Sequence, residues 1–178
     1  FRADLLHRLD VVRLSLPPIF GVNPTTAQRG SFSPIGIGDR LALAVILDDP
    51  AGQLAALQVG TTDYPQLLAD ALSRASWEAS FSMANARKAI NRLDVSYVAG
   101  CMFRAVGVLT QSIHGHDRRW LVNEKGAVEA TGALPSAPVD FAARVADGFA
   151  ALDASTNALA AACDRLESLV AEAVQRVL

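Results

Sequence analysis

Aromatic residues are scarce in this 178-residue chain, at 6%, and there are only two cysteines. Few aromatics beside abundant Ala, Leu and Val favour helices over strands. Cys101 and Cys163 lie in helix-like apolar surroundings, where a free thiol behaves as a small hydrophobe, and no disulfide framework is implied. Excess positive charge is missing too, because 16 Lys and Arg face 18 Asp and Glu for a formal charge of -2. A sequence-independent nucleic-acid binder would be basic, so nucleic acid is disfavoured as a partner. No run of about 20 residues is both apolar and uncharged, so no transmembrane helix is expected and no membrane partner. Residues 1–14 are too charged for a signal-peptide core, which makes a cytoplasmic protein the expectation. The chain starts at Phe1 rather than Met and is read as trimmed, processed or part of a longer protein. It lacks a Walker loop, a CxxC pair, a Gly-x-Ser-x-Gly elbow, a dinucleotide-binding fingerprint and internal repeats.

A hydrophobic fraction of 51% is enough to build a core. Residues 3–14 read as a short amphipathic element. Residues 15–38, with Pro17, Pro18, Pro24 and Pro34 among four glycines, read as an irregular loop. LALAVILDD (41–49) suits a strand or a buried helix equally, and QLAAL (53–57) suits a short helical turn. Beyond Asp63 and Pro65, the residues Leu68, Leu72, Ala75, Ala79 and Met83 keep helical spacing, predicting one long helix from 64 to about Ile90. Asp94 caps a second helix to about Ile113, and the short link makes the two antiparallel neighbours. Residues 114–119 form a break, 120–131 a third helix, and 134–138 a turn. Helices over 140–152 and 155–178 complete the chain, the last with Leu159, Ala162, Cys163, Leu166, Leu169, Val170 and Val174 on one face. The expected fold class is all-α, an antiparallel bundle of about five helices. Its expected organisation is an irregular linking segment over 1–60 and a bundle domain over 61–178.

Three clusters have the appearance of catalytic sites. Gly30-Ser31 followed by Asp39 suggests the phosphate turn and metal carboxylates of a nucleotidyltransferase, but Arg40 and Leu41 follow where a second carboxylate is needed. Asp48 and Asp49 are adjacent, which suits a turn better than a metal pair. His114, His116 and Asp117 could ligate zinc, yet no fourth ligand stands nearby.

CMFRAVGVLTQ (101–111) places a cation inside an apolar helix. Tyr97, Arg104 and Gln111 follow at i, i+7 and i+14 along one face. On the preceding helix, Glu78, Ser82 and Asn85 form an answering row, with Trp77, Phe81, Ala84 and Lys88 beside it. Glu78 is the natural partner of Arg104, with Glu124 as another candidate. Two readings stand: a buried ion pair that fixes helix register, or a stripe that faces a ligand or a partner domain. Phosphate would suit Arg104 together with Lys88 or Lys125, because Arg presents a planar fork of donors.

The segments WEASFSMANARKAINRLDVSYVAGCMFRAVGVLTQ (77–111) and RRWLVNEKGAV (118–128) carry Trp-Glu-Ala, Ala-Arg-Lys, Asp-Val-x-Tyr-Val-Ala-Gly-Cys, Phe-Arg-Ala and Asn-Glu-Lys-Gly-Ala-Val. Together with a weaker likeness over 38–57, this pattern resembles the C-terminal helical part of bacterial nucleotidyltransferase-domain proteins. Those belong to the polymerase-beta superfamily and are distantly similar to the antibiotic nucleotidyltransferases. The resemblance implies an N-terminal catalytic module of the same protein, holding Mg2+ and a nucleoside triphosphate on its own carboxylates. This chain would supply contacts to nucleotide or acceptor and be inactive alone. The matching positions are Trp77, Glu78, Lys88, Tyr97, Arg104, Gln111, Asn123, Glu124 and Lys125, with Glu78 or Glu124 as the acceptor-activating base. The sequence departs from the family pattern at SIHGHD (112–117) and over 22–33. Arg104 and His114 stand too far apart for the Arg–His motif of the related HEPN nucleases. The competing expectation is a non-catalytic helical interaction or oligomerisation module, for example a homodimer, with a buried Arg-centred polar network.

Overall fold

The computed structural model describes residues 38–122 and 124–178. The proline-rich loop, Gly30-Ser31, the element over 3–14 and Asn123 lie outside the described residues. Among the described residues there is no strand, and the fold is an all-α bundle. Helices α1 (Gly38–Ala42) and α2 (Gln53–Val59) precede it. The bundle comprises α3 (Gln66–Ala75), α4 (Trp77–Ala89), α5 (Val95–His116), α6 (Ala127–Gly132), α7 (Phe141–Ala150) and α8 (Thr156–Val177).

Helix α5 is central and touches α3, α4, α6, α7 and α8. Val98, Met102, Ala105, Leu109 and Ile113 line its inner face and are fully buried. They meet Leu159, Ala162, Leu166, Leu169 and Ala173 of α8, and Met83, Ala86 and Ala89 of α4, in one continuous core. A second cluster holds Tyr64, Leu68, Ala69 and Leu72 under Trp120. Capping follows the sequence at two helices. The Asp94 carboxylate accepts the Tyr97 N–H at 3.1 Å, and the Ser155 hydroxyl accepts that of Ala158 at 3.2 Å.

The expected long helix over 64–90 is divided at Ser76. The Ser76 N–H turns to the Ser73 carbonyl at 3.1 Å, one residue short of an α-helical partner. Its regular acceptor, the Leu72 carbonyl, takes a 2.8 Å bond from the Ser112 hydroxyl of α5. A side chain inserted into the helical ladder is an established cause of a kink. Close approach makes this possible, since a Cβ on Gly115 would lie 2.6 Å from Leu72 Cβ.

Two further expectations are corrected. Residues 43–49 are neither strand nor buried helix, and Val45 and Leu47 are exposed. Polar groups organise that stretch instead. Gln58 donates to the Leu41 and Ala44 carbonyls, and Asp49 caps α2 by accepting from Gln53 and Ala55. The third helix starts at Ala127, not at 120, because Gly126 takes a left-handed φ of 71° just before it. Trp120 is drawn onto Tyr64, with ring centroids 4.5 Å apart, and donates to the Thr61 carbonyl.

Gly115→Ala should destabilise the fold by about 1–3 kcal/mol in urea unfolding, because Leu72 meets the new methyl at its Cβ and cannot rotate away. An unchanged unfolding midpoint would show that α3 does not depend on this contact.

Candidate functional site

Helix α4 carries two apolar rows, and only one can enter the core. The inner row is small apart from Met83: Ala79, Ala86 and Ala89. The outer row keeps the large rings. Trp77 and Phe81 are 61% and 55% exposed, with centroids 5.8 Å apart. Across the hairpin, Tyr97 and Phe103 of α5 are also exposed. Trp77, Phe81, Tyr97 and Phe103 are the exposed aromatics among the described residues, and all four stand on α4 and α5.

The ion pair sits on this same hairpin. Arg104 Nε donates to Glu78 Oε1 at 2.7 Å, and Nη2 donates to the same oxygen. Glu78 is therefore the partner, as its place in the sequence suggests. The pair is open rather than sealed, with the Arg104 side chain 50% exposed and that of Glu78 29%. The buried-pair reading is thus corrected on burial. Arg104 lies on the outward side of α5, half open to water.

The other expected site residues are dispersed. Lys88 is exposed, with Nζ on Asn85 Oδ1 at 3.0 Å. Lys125 is exposed, and Glu124 is half-buried in the turn before α6. Gln111 is buried, and its Oε1 has no hydrogen-bond partner among the described residues. The arrangement thus brings Trp77, Glu78, Lys88, Tyr97 and Arg104 onto one hairpin and takes Gln111 inward.

The histidine cluster does not converge. His114 is buried, while His116, two residues on, is exposed. Asp117 is occupied with structure: Oδ2 accepts the Ser136 N–H at 3.1 Å and Oδ1 its hydroxyl at 2.6 Å, pinning the turn before α7. Among the described residues no group of three or more His, Cys, Asp or Glu is placed to hold a metal ion. Burial pushes the His114 imidazole below its ordinary value of 6.5, opposed by the Arg119 backbone and the Asp117 charge.

Sequence reasoning missed Arg87. Its Nε meets Glu167 Oε1 at 2.8 Å and its Nη2 meets both Glu167 and Asp164, tying α4 to α8. The two carboxylates hold its charge more firmly than in free arginine. The i, i+3 spacing of Asp164 and Glu167 was the available signal. Also among the described residues, no helix is long and apolar enough to cross a membrane.

Compared with the models of known protein families, with curated proteins and with solved structures, the chain matches none.

Arg104→Ala should cost less than about 1 kcal/mol of stability, the range of exposed pairs, and leave the helical signal intact. A loss of several kcal/mol would mark the pair as a structural element of the core. The depressed His114 makes a second prediction. The unfolded chain takes up this proton more readily, so the stabilisation is complete above pH 6.5 and is lost as pH falls through the lower folded value. His114→Gln should flatten the decline of melting temperature between about pH 7 and pH 5. Equal slopes in both proteins would acquit His114.

Proposed function

We propose that the chain is the helical accessory domain of a nucleotidyltransferase and that the outer α4–α5 face docks against the catalytic module of the same protein. The reaction would move a nucleoside monophosphate from a nucleoside triphosphate to an acceptor, in the cytoplasm, with Mg2+ and the catalytic carboxylates in that module. One observation supports this reading above the rest. Trp77, Glu78, Tyr97 and Arg104, which carry much of the resemblance, share one open hairpin with an unusual concentration of exposed rings. Aromatic and arginine side chains dominate the binding energy of protein interfaces. Exposed rings outside and alanines inside are the reverse of what packing of this bundle alone requires. Glu78 and Arg104 would lie at the rim of the shared cleft, where a guanidinium and a carboxylate suit a phosphate or an acceptor hydroxyl.

The same rings favour a second reading, a helical module that pairs with another copy of itself through this face. One experiment separates the two. The complete reading frame is expressed as two pieces, the upstream module and this chain, and their association is measured beside self-association of the chain. An upstream module with a Gly-Ser turn and Asp-x-Asp should bind, and Trp77→Ala should weaken it at least about tenfold. A reading frame without such a module, or binding that ignores Trp77→Ala, defeats the docking proposal. Self-association that Trp77→Ala abolishes would support the second reading.

A further inference from the structure

At the far end of α5, about 18 Å along the helix from Arg104, a cleft of about 410 Å3 opens between α3 and the residues just after α5, closed on one side by the end of α8. Gln66, Asp70, Ser73, Arg74, His116 and Arg118 line it. A cleft of that size accommodates a small ligand. The Gln66 side chain organises it. Its Nε2 donates to Asp70 Oδ1 at 2.6 Å, and its Oε1 accepts from Arg118 Nη2.

Two arginines of the bundle end on uncharged oxygens, Arg118 on the Gln66 amide and Arg165 on the Asp147 carbonyl. Arg87, Arg104, Arg144 and Arg176 each end on a carboxylate. Arg118 ends on a neutral amide oxygen, which fixes its position without cancelling its charge. One donor is used, and four remain in the planar fork. Arg74 and His116 also line the cleft and have no hydrogen-bond or ion-pair partner among the described residues. Asp70, already bonded to Gln66, is the sole side-chain carboxylate in the lining.

The backbone fixes where Arg118 stands. Arg118 has φ 56°, in the left-handed region, as Leu93 and Asp140 also do. Its N–H reaches the Gly115 carbonyl at 3.1 Å, and the Arg119 N–H reaches that of His114 at 2.8 Å, closing the end of α5. Glycine occupies such a closing position at least cost, and a side chain there is strained by about 1–2 kcal/mol. Helix ending alone would be better served by glycine. The last turns of α3 and α5 account for cations at Arg74 and His116 by their dipoles. They do not account for an arginine positioned by the Gln66 amide in the cleft.

We propose that this cleft is a binding site for a small phosphate-type oxyanion, with Arg118 and Arg74 as its cationic donors and Gln66 as the residue that positions Arg118. The proposal stands apart from the docking face and survives or fails without it.

The test is calorimetric titration of inorganic pyrophosphate into the chain at low ionic strength, with Arg118→Gly, Arg74→Gln and Arg92→Gln beside it. Arg92 is exposed at the other end of the α4–α5 hairpin and controls for loss of one positive charge. The wild type should bind one pyrophosphate saturably. Arg118→Gly and Arg74→Gln should each weaken binding at least about tenfold, while Arg92→Gln leaves it unchanged. Arg118→Gly should keep or raise the melting temperature, because the left-handed strain is relieved. No saturable binding by the wild type, or equal weakening by Arg92→Gln, would overturn the site. A fall in melting temperature with Arg118→Gly and unaltered binding would make Arg118 a structural residue and overturn it as well.

Discussion

The architecture depends on how closely α3 approaches α5. Gly115 offers no side chain, so Leu72 packs against the helix backbone, and Ser112 takes the Leu72 carbonyl. Removing that carbonyl from the ladder releases the Ser76 N–H and divides what would otherwise be one long helix. A straight helix would have to follow a single line across α5. Two helices joined at Ser76 can each choose an angle. Helix α3 lies against the C-terminal half of α5, and α4 against the N-terminal half. Glu78 stands two residues beyond the break and pairs there with Arg104.

Stability and specificity are carried by different parts of the molecule. Fully buried Met102, Leu109, Leu159, Leu166, Leu169 and Phe141 supply the hydrophobic term, which scales with area removed from water. The ion pairs sit on the rim. Glu172 of α8 takes Arg144 of α7 at 2.6 Å and Arg176 of its own helix at 2.9 Å. Those contacts, the Arg144 hydrogen bond foremost, hold its carboxyl below the usual range. Such exposed pairs contribute little each, but they penalise alternative helix registers in which like charges would meet.

Much of this was legible in the sequence. The long apolar runs over 95–113 and 155–178 identified α5 and α8 and the inner face of α8, and Asp94 and Ser155 marked where they start. What escaped was non-local. Ser76 and the residues around it look helical, and the cause of the break lies 40 residues away at Ser112. The hydrophobicity of 41–49 suggested burial, but composition cannot supply a surface to be buried against. The Glu78–Arg104 partnership was readable because a short hairpin link fixes which ends face each other. Its openness was not, because polar stripes inside and outside a bundle have the same spacing. The outer row Trp77, Phe81, Ala84 and Lys88 held a clue in the size of its members, with large rings on one side of α4 and alanines on the other.

Arg104 in the middle of α5 and Arg118 just past its end illustrate how a cation's partner limits its use. Arg104 is matched by a carboxylate, so a partner protein that covered it would desolvate a pair already close to neutral. Burying an unmatched charge costs far more, whereas a pair with its hydrogen bonds made can be enclosed with modest loss. That suits a face lined by rings, where water would be expelled on docking. Arg118 is matched by an amide oxygen and keeps its full charge. A protein surface would pay heavily to cover it, but an incoming oxyanion would supply the missing charge and occupy the unused donors. A neutralised cation beside aromatics and an unneutralised cation in a polar cleft argue, each through the chemistry of its partner, for different kinds of ligand.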